Sequence, residues 1–201
     1  MNNYHEKNIK AYDKMADNYD STLDGKFTEK FKELLLTNMS INNNDSILDI
    51  GCGNGTLLSK MAKIKMINGF GTDISPQMIK VAKIRHPELN FIVSGCEEIS
   101  FSDNSIDIIT VCAAYHHFPD VNAFALEAKR LLRPNGSLYI AEIYLPAIIR
   151  HIANIALPFS KHGDVKFYSH KEIVNIFSHV NFSLVKVVKK KHIQIVQLRR
   201  K

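Results

Sequence analysis

The stretch SILDIGCGNG, residues 46–55, decides the fold because an apolar run leads directly into a loop that contains three glycines. A short apolar run that ends at glycines is typical of a buried strand. The next residues, 56–64, place apolar side chains at the spacing of one helix face. Strand, glycine loop and helix in this order indicate the first unit of a sheet with parallel strands.

The same alternation of strand and helix continues along the chain. Further strands are predicted over residues 67–74, 90–94, 105–113 and 137–143. One helix begins after Ser75, which can cap it, and another covers residues 121–132. Units of this length imply right-handed crossovers, with helices on both faces of a parallel sheet. We therefore predict a doubly wound α/β fold.

The pattern changes after residue 143. Apolar residues at helical spacing over residues 145–159 predict a small helical cap over the site. A further helix begins after Ser169, and strands at 183–188 and 192–198 are close enough in sequence to form an antiparallel hairpin. The predicted sheet is therefore seven-stranded and mostly parallel, with an antiparallel hairpin at its C-terminal end.

The length of 201 residues, of which 45% are hydrophobic, suits a single domain with one core. We divide it into an N-terminal helical segment, a core, a cap insertion, and a terminal helix with its hairpin. These parts cover residues 1–40, 41–143, 144–168 and 169–201. No internal repeat divides the chain further.

The net charge of +6 lies at the C-terminal end of the chain. Seven of the 26 lysine and arginine residues follow residue 185, where no acidic residue occurs, so residues 1–185 carry 19 basic and 20 acidic side chains. Lysines 189–191 are expected at the hairpin turn, where lysines commonly protect a sheet edge. Aromatic side chains for base stacking are not interleaved with them, which disfavours a nucleic-acid partner.

Cysteine usage and apolar stretches bear on the compartment. The three cysteines, Cys52, Cys96 and Cys112, are odd in number and lack CxxC spacing, which disfavours a disulfide framework and a cysteine-based zinc site. The first residues do not have the order of a signal peptide, and charged residues and a proline interrupt the longest apolar stretch, 138–159. We therefore expect a cytoplasmic protein without a membrane span.

The glycine loop and an acidic residue after the second strand indicate the kind of ligand. In open α/β sheets, ligands bind beyond the carboxyl ends of the strands. The loop has the pattern G-x-G-x-G, whereas the dinucleotide fingerprint G-x-G-x-x-G would need a glycine in place of Thr56. Asp73 lies about 20 residues after the loop, where a carboxylate can accept hydrogen bonds from both hydroxyls of a ribose. A ligand with a ribose but without a pyrophosphate is indicated.

Five blocks of sequence occur in a recognisable order: ILDIGCGNG (47–55), GTDISPQM (71–78), DNSID (103–107), HHFPD (116–120) and LLRPNGS (131–137). In this order they resemble the class I S-adenosylmethionine (SAM) dependent methyltransferases of the small-molecule type that includes ubiquinone and menaquinone methylases. The resemblance covers about residues 10–145. It implies an enzyme that moves the methyl group of SAM to an acceptor by in-line displacement and releases S-adenosylhomocysteine.

The resemblance assigns cofactor residues in and beside the glycine loop. The loop residues that would surround the methionine and ribose parts of SAM are Gly51, Cys52, Gly53 and Gly55. Asp49 would orient this loop or meet the amino group of SAM, and Asp73 would bind the ribose hydroxyls. The resemblance therefore agrees with the ribose inferred above.

The adenine end of the cofactor departs from the family pattern. Ile74 and Met78 would pack on the two faces of the adenine, a use that suits apolar and polarizable side chains. The family commonly has Asp-Ala after the third strand, where the aspartate binds the adenine amino group, but this chain has Cys96 and Glu97. Either Glu97 with a neighbouring backbone group binds the amino group, or stacking alone holds the adenine.

Tyrosines near the N-terminus resemble those that close over the methionine end of SAM in this family. Tyr19 is the first candidate for this role and Tyr12 is the second. The alternative is that both tyrosines only pack a helix against the domain.

Two histidines, His116 and His117, directly follow the fourth strand, where the family meets its methyl acceptor. Either imidazole can act as a general base for an acceptor O–H, N–H or C–H. The alternative, which we favour, is that the pair shapes the pocket or caps the next helix, because the methyl group of SAM is already activated. No metal site is predicted, since His151 and His162 in the cap have no carboxylate at metal-ligand spacing.

Three functions remain open on the sequence. The first is methyl transfer to a small molecule, and the apolar cap favours an acceptor with apolar surface. The second is methyl transfer to RNA through the basic hairpin, and the third is binding of SAM without catalysis. Tyr144 is a further candidate for lining the acceptor pocket, and Asp107 is expected to bind backbone at the start of a strand. No feature of the sequence indicates an oligomeric state.

Overall fold

Strands and helices alternate through most of the chain in the computed structural model, which describes residues 3–157 and 163–201. The strands are β1 (Ser46–Ile50), β2 (Asn68–Asp73), β3 (Asn90–Val93), β4 (Ile106–Cys112), β5 (Leu132–Ile143), β6 (Phe182–Lys190) and β7 (Ile193–Arg200). The α-helices are α1 (Asn3–Met15), α2 (Leu23–Leu36), α3 (Thr56–Ile64), α4 (Pro76–Arg85), α5 (Val121–Leu131), α6 (Ala147–Ala156) and α7 (His170–Ser178). Short 3-10 helices lie at Ala16–Ser21 and Tyr115–His117.

The strands form one sheet in the order β3-β2-β1-β4-β5-β7-β6. Strands β1 to β5 pair in parallel, whereas β7 is antiparallel to both β5 and β6. This confirms the predicted seven-stranded, mostly parallel sheet with a C-terminal antiparallel hairpin. The strand order reverses between β1 and β4, and the carboxyl ends of these two strands therefore flank the crevice in which such sheets bind ligands.

The central strands are buried on both faces, as the apolar runs predicted. Successive side chains of a strand point to opposite faces. Ile47 and Ile108 accordingly belong to one apolar cluster, while their neighbours Leu48 and Ile109 belong to the cluster on the other face. Helices α3 and α5 cover these clusters with side chains that include Leu58 and Phe124. The sheet is thus enclosed by helices on both sides, which holds the strand ends rigid.

Strand β5 and the two terminal strands differ in their boundaries from those predicted. Strand β5 begins at Leu132, five residues earlier than predicted, because Leu132 pairs with Ile106 before the register shift in β4. The terminal strands are also longer than predicted, and only Lys191 and His192 separate them. Lys191 adopts a positive φ of 55° in this turn. Tertiary pairing extends these strands beyond their most regular sequence.

The N-terminal segment packs on helix α4. Ala16 and Tyr19 form a small buried cluster with Met78 and Val81 of α4. Asp20 adds an ion pair at the surface, since its carboxylate lies 2.7 Å from a nitrogen of the Arg85 guanidinium. Helix α1 and the following 3-10 turn are therefore attached beside the carboxyl ends of β1 and β2.

Helix α6 is the part of the predicted cap that the structure describes, together with residues 163–168. Its isoleucines are exposed, from 54% at Ile149 to 77% at Ile148. Phe159, the last residue of the predicted apolar stripe, lies outside the described residues. Among those residues, no helix is both long and apolar enough to cross a membrane.

Candidate active site

The glycine loop after β1 is held in a conformation that favours glycine. Gly51, Gly53 and Gly55 have φ angles of 71°, 53° and 79°, where a side chain is strained. A Cβ atom on Gly51 would come within 2.5 Å of the Ala114 side chain. The backbone N–H groups of Gly51 and Cys52 both donate to the carbonyl oxygen of residue 72 at the end of β2. The loop is therefore attached to the neighbouring strand, with its backbone exposed to the crevice.

Asp73 ends β2 and faces the same loop. Its carboxylate accepts hydrogen bonds from the backbone N–H of Gly53 at 2.8 Å and of Ser75 at 2.9 Å. Burial raises the pKa of Asp73 above its ordinary value, while these backbone donors oppose the rise. Asp73 thus connects the loop to the start of α4 and presents a half-buried carboxylate beside the loop.

A cleft opens at this end of the sheet. The empty volume between its walls, which includes space open to solvent, is about 800 Å³. The lining comes from the glycine loop, the end of β2, the start of α4, residues 112–114 and 117–119 at and after the end of β4, and helices α1 and α2. The cleft therefore lies at the predicted crevice, and the N-terminal helices form one of its walls.

Two tyrosines of the N-terminal segment line the cleft. Tyr12 has its hydroxyl 3.1 Å from Nε2 of His117, and the hydroxyl of Tyr19 lies 3.3 Å from that of Thr28. The two rings are 6.1 Å apart between centroids. Burial raises the pKa of Tyr19 to about 12 and raises that of Tyr12 well above its ordinary value. Both tyrosines are therefore neutral hydrogen-bonding groups at neutral pH.

Asp49 lies in β1 directly below the loop. It is 2% exposed, and its Oδ1 atom accepts a hydrogen bond from the Thr110 hydroxyl at 2.7 Å. Burial raises the pKa of Asp49 to about 7, against the opposing effects of the Thr110 hydrogen bond and the positive charge of Lys32. A ligand that places positive charge nearby would favour the ionised form.

Lys32 of helix α2 is a buried cation in the wall of the cleft. It is 8% exposed, and its ammonium group has no hydrogen-bond partner among the described residues. The nearest carboxylate oxygen, of Glu29, is 3.8 Å away, and the ring centroid of Tyr19 is 5.9 Å away. A buried ammonium is stabilised by an anionic partner, so Lys32 is suited to meet a negative group of a ligand.

His116 forms a buried pair with Glu142 of β5. Its Nδ1 atom lies 2.9 Å from both carboxylate oxygens, and its backbone N–H donates to the same carboxylate at 3.0 Å. Burial alone would lower the pKa of His116, but the carboxylates of Glu142 and Asp164 outweigh burial and raise it. His116 does not line the cleft.

His117 lines the cleft and faces two partners. Its Nε2 atom meets the Tyr12 hydroxyl, while Nδ1 lies 3.3 Å from a carboxylate oxygen of Asp164. The same oxygen of Asp164 lies 3.6 Å from Nε2 of His116. Both histidines and this carboxylate therefore form one cluster at the edge of the cleft.

Most of the predicted cofactor residues line the cleft. The exceptions are Asp49, which is buried under the loop, together with Gly55 and Glu97. Cys96 lines the cleft where Glu97 does not. Burial and the nearby Glu97 carboxylate raise the pKa of the Cys96 thiol. Gly55 instead lies so close to Phe91 that an added Cβ atom would be 2.7 Å from the ring.

The remaining sequence candidates lie away from the cleft. Tyr144 has the Lys189 ammonium 4.8 Å from its ring centroid and does not line the cleft. The prediction for Asp107 is confirmed, because its carboxylate accepts a hydrogen bond from the backbone N–H of Ser46. His151 is exposed on helix α6. In the part of the chain that the structure describes, this helix contributes no residue to the lining of the cleft. His162 lies outside the described residues.

Sequence reasoning missed three charged residues of the site. Glu142 has a visible signal, since it is an acidic residue inside an otherwise apolar strand. Lys32 follows Phe31 on the apolar side of α2, which hints at burial. Asp164 has no signal in the sequence, because only the folded chain brings residues 163–168 beside the histidines: the backbone N–H of Val165 donates to the carbonyl oxygen of His116 at 2.8 Å.

Comparisons with known proteins agree with this geometry. Residues 48–140 match the family described as a methyltransferase domain. The chain is 33% identical over 100 residues to a demethylmenaquinone methyltransferase of Chlorobaculum tepidum, a match that covers 50% of this chain and 41% of the relative. It is 36% identical over 112 residues to the ubiquinone/menaquinone biosynthesis C-methyltransferase UbiE of Rickettsia prowazekii, which covers 50% of this chain and 45% of that protein.

A solved structure extends the likeness in fold beyond the matched half. A SAM-dependent methyltransferase from Aquifex aeolicus superposes with a TM-score of 0.67 at 20% identity, over 95% of this chain and 97% of the other. The curated relatives above are matched over less than half of their own length. The Rossmann-like fold of that protein is thus shared by nearly all of this chain, and the sequence likeness is concentrated in the part that carries the glycine loop.

Proposed function

We propose that this chain, whose residues 48–140 belong to the class I SAM-dependent methyltransferases, transfers the methyl group of SAM to a small-molecule acceptor. The observation that carries the proposal is the pairing of a left-handed glycine loop with Asp73 at one cleft. The loop exposes backbone to a ligand, and the carboxylate can accept two hydroxyl hydrogen bonds. The product that remains after transfer is S-adenosylhomocysteine.

The ribose and adenine of SAM are assigned to the β2 end of the cleft. Asp73 binds the ribose hydroxyls in place of the hydrogen bonds it now accepts from backbone N–H groups, or beside them. Ile74 and Met78 follow it and pack on the adenine. Cys96 borders the same region, so stacking and the thiol hold the base where the family commonly has an aspartate.

The methionine end of SAM is assigned to the region between β1 and α2. Its carboxylate meets the ammonium of Lys32 and gives this buried cation a hydrogen-bonded anionic partner, whereas the Glu29 carboxylate lies 3.8 Å away. Its amino group lies towards Asp49, whose ionised form the positive charge favours. Tyr19 closes over this end, because its ring lines the cleft and its centroid is 5.9 Å from the Lys32 ammonium.

The acceptor is assigned to the end of the cleft at residues 117–119, where Phe118 and Pro119 give an apolar surface. Orientation of the acceptor, methyl carbon and sulfur in line can contribute roughly 7 to 11 kcal/mol to lowering the barrier. The Tyr12 hydroxyl, which is oriented by its contact with Nε2 of His117, positions the acceptor by a hydrogen bond. The quinone-methylase relatives support an aromatic acceptor with apolar surface, and the free cysteines support a reducing, cytoplasmic setting.

Calorimetric titration with S-adenosylhomocysteine tests the cofactor site. The wild type is expected to bind one equivalent, and Asp73→Asn is expected to weaken binding at least tenfold. Glu33→Gln, which removes an exposed carboxylate of α2, is the matched control and should bind as the wild type does. Circular dichroism of each variant separates a lost ligand contact from a lost fold. Absence of binding by the folded wild type would contradict the proposal.

A transfer assay with methyl-labelled SAM separates the acceptor classes. Demethylated quinols, a small-molecule extract and total RNA are offered separately, and label is expected in the small molecules. A variant with glutamine at 189–191 neutralises the basic hairpin turn without removing β7, which lies inside the sheet between β5 and β6. If the wild type labels RNA and this variant does not, the hypothesis of an RNA acceptor is established instead. Cofactor binding without label in any acceptor would support a non-catalytic SAM-binding protein.

A further inference from the structure

A second cluster beside the cleft has the composition and spacing of a metal site. The ligand atoms of His116, His117 and Asp164 all lie within 4.8 Å of one another. The carboxylate oxygen is 3.3 Å from Nδ1 of His117 and 3.6 Å from Nε2 of His116. Two donors each about 2.1 Å from one ion, at a tetrahedral angle, are separated by about 3.4 Å. The two measured distances therefore match two edges of a tetrahedral site.

The orientation of the His116 ring also indicates a metal site. Its Nδ1 atom is 2.9 Å from both oxygens of Glu142, which is fully buried, so Nε2 is the atom directed at Asp164. Metal-ligating histidines commonly donate their other ring N–H to a carboxylate, which fixes the tautomer and the plane of the ring. Glu142 stands in that position, and it also accepts the backbone N–H of His116.

The orientation of His117 completes the set. Its Nε2 atom is hydrogen-bonded with the Tyr12 hydroxyl, and its Nδ1 atom is turned to Asp164. The two imidazole rings are 4.0 Å apart between centroids, and one nitrogen of each ring lies within 4.8 Å of the other and of the Asp164 oxygen. Each histidine therefore has one ring nitrogen towards the shared carboxylate and the other towards an outer partner.

The backbone holds the two contributing segments together. The backbone N–H groups of Val165 and Lys166 both donate to the carbonyl oxygen of His116. Gly163 packs against α1, where an added Cβ atom would lie 2.6 Å from the carbonyl oxygen of Tyr4. Asp164 is thus placed by its neighbours on both sides.

We propose that His116, His117 and Asp164 bind one divalent transition-metal ion of the Zn²⁺ class, with a fourth position open to water or a ligand. Imidazole and carboxylate together suit zinc, iron or nickel, whereas magnesium and calcium prefer sites made mostly of oxygen donors. Spacing along the chain cannot show this site, because its ligands lie 47 and 48 residues apart in sequence. The proposal departs from the sequence-based prediction of no metal site, which considered the cysteines and the cap histidines as ligands.

The ion would have a positioning role beside the transfer site. It would join the turn after β4 to residues 163–168, which contact helix α1. With Nδ1 on the ion, His117 keeps its proton on Nε2 and donates it in a hydrogen bond to the Tyr12 oxygen. His117 is then a hydrogen-bond donor and not a general base. This inference goes beyond the proposed methyl transfer and does not depend on it.

Metal titration of the tag-free full chain tests the site without any activity assay. After dialysis against EDTA, calorimetry with Zn²⁺ is expected to show one equivalent bound and Mg²⁺ none. Co²⁺ is expected to give the visible absorption of a four- or five-coordinate ion. Asp164→Asn and His116→Gln should each weaken Zn²⁺ binding at least a hundredfold, and Glu142→Gln about 10- to 100-fold.

His151→Gln, which removes an exposed histidine of α6, is the matched control and should bind Zn²⁺ as the wild type does. Circular dichroism in EDTA establishes that each variant is folded before titration. If the folded wild type binds no stoichiometric Zn²⁺ or Co²⁺, the assignment is wrong. It is equally wrong if Asp164→Asn binds as tightly as the wild type.

Discussion

Replacement of Asp49 by asparagine should make the stability of the free protein less dependent on pH. Asp49 is buried in β1, and burial raises its pKa from 3.8 to about 7. The folded state therefore keeps a proton that the unfolded state has lost between these two values, and stability falls as pH rises through this range. Asparagine cannot ionise but retains an oxygen for the Thr110 hydroxyl. The variant should therefore not lose stability through this group as the pH rises.

The size of the effect follows from the two pKa values. A tenfold change in a protonation equilibrium corresponds to about 1.4 kcal/mol, so the full loss above pH 7 is about 4 kcal/mol. Part of it has already occurred at pH 5. Between pH 5 and pH 8 the wild type should therefore lose about 2 to 3 kcal/mol more stability than Asp49→Asn.

Urea unfolding followed by circular dichroism at pH 5, 6, 7 and 8 measures this difference. Glu33→Gln is the control, because it removes an exposed carboxylate and should follow the wild type. Other groups titrate in both proteins and cancel in the comparison. Parallel stability curves for the wild type and Asp49→Asn would refute the reasoning, since Asp49 would then ionise at the same pH in both states.

The other predictions concern the glycine loop and the cleft. Gly51→Ala should lower the free energy of unfolding by about 2 to 5 kcal/mol, since it adds a steric overlap to backbone strain. Gly53→Ala should lower it by only about 1 to 2 kcal/mol, because nothing lies within 4 Å of a Cβ atom at that position. Urea unfolding measures both values, and equal losses for the two variants would contradict the steric overlap at Gly51. Lys32→Met should weaken S-adenosylhomocysteine binding at least tenfold by calorimetry, and the exposed Lys30→Met should leave it unchanged. His117→Gln should lower the rate of methyl transfer by less than about tenfold, because general bases contribute about 100-fold or more; a larger loss with an altered pH profile would establish a base.

The sequence was sufficient for the succession of strands and helices along the chain because its signals are local. The run at 46–50, the glycines that follow it and the N-cap at Ser75 each act within a few residues, and the structure places them as predicted. Strand β5 was less accurate, because Leu132 joins the sheet by pairing with a distant strand. Boundaries of that kind depend on the partner strand and not on the residues themselves.

The site residues that lie at the end of one strand could be predicted from the sequence. Those that distant segments bring to the cleft could not. Asp73 was assigned from its spacing after the glycine loop. Lys32 comes from a helix that precedes the sheet, and Asp164 from a segment that follows it. Each approaches the cleft only after the chain has folded, so no periodicity or spacing connects them with the loop.

The sequence by itself determined the order of strands and helices, the glycine loop and the position of Asp73, because hydrophobic period and backbone preference are properties of neighbouring residues. It also placed the excess positive charge on the terminal hairpin. Only the tertiary structure decided that Glu142 pairs with His116, that His117 lies between Tyr12 and Asp164, and that Lys32 is buried. These contacts join residues far apart in sequence, and their energies depend on distance and burial that exist only in the folded chain.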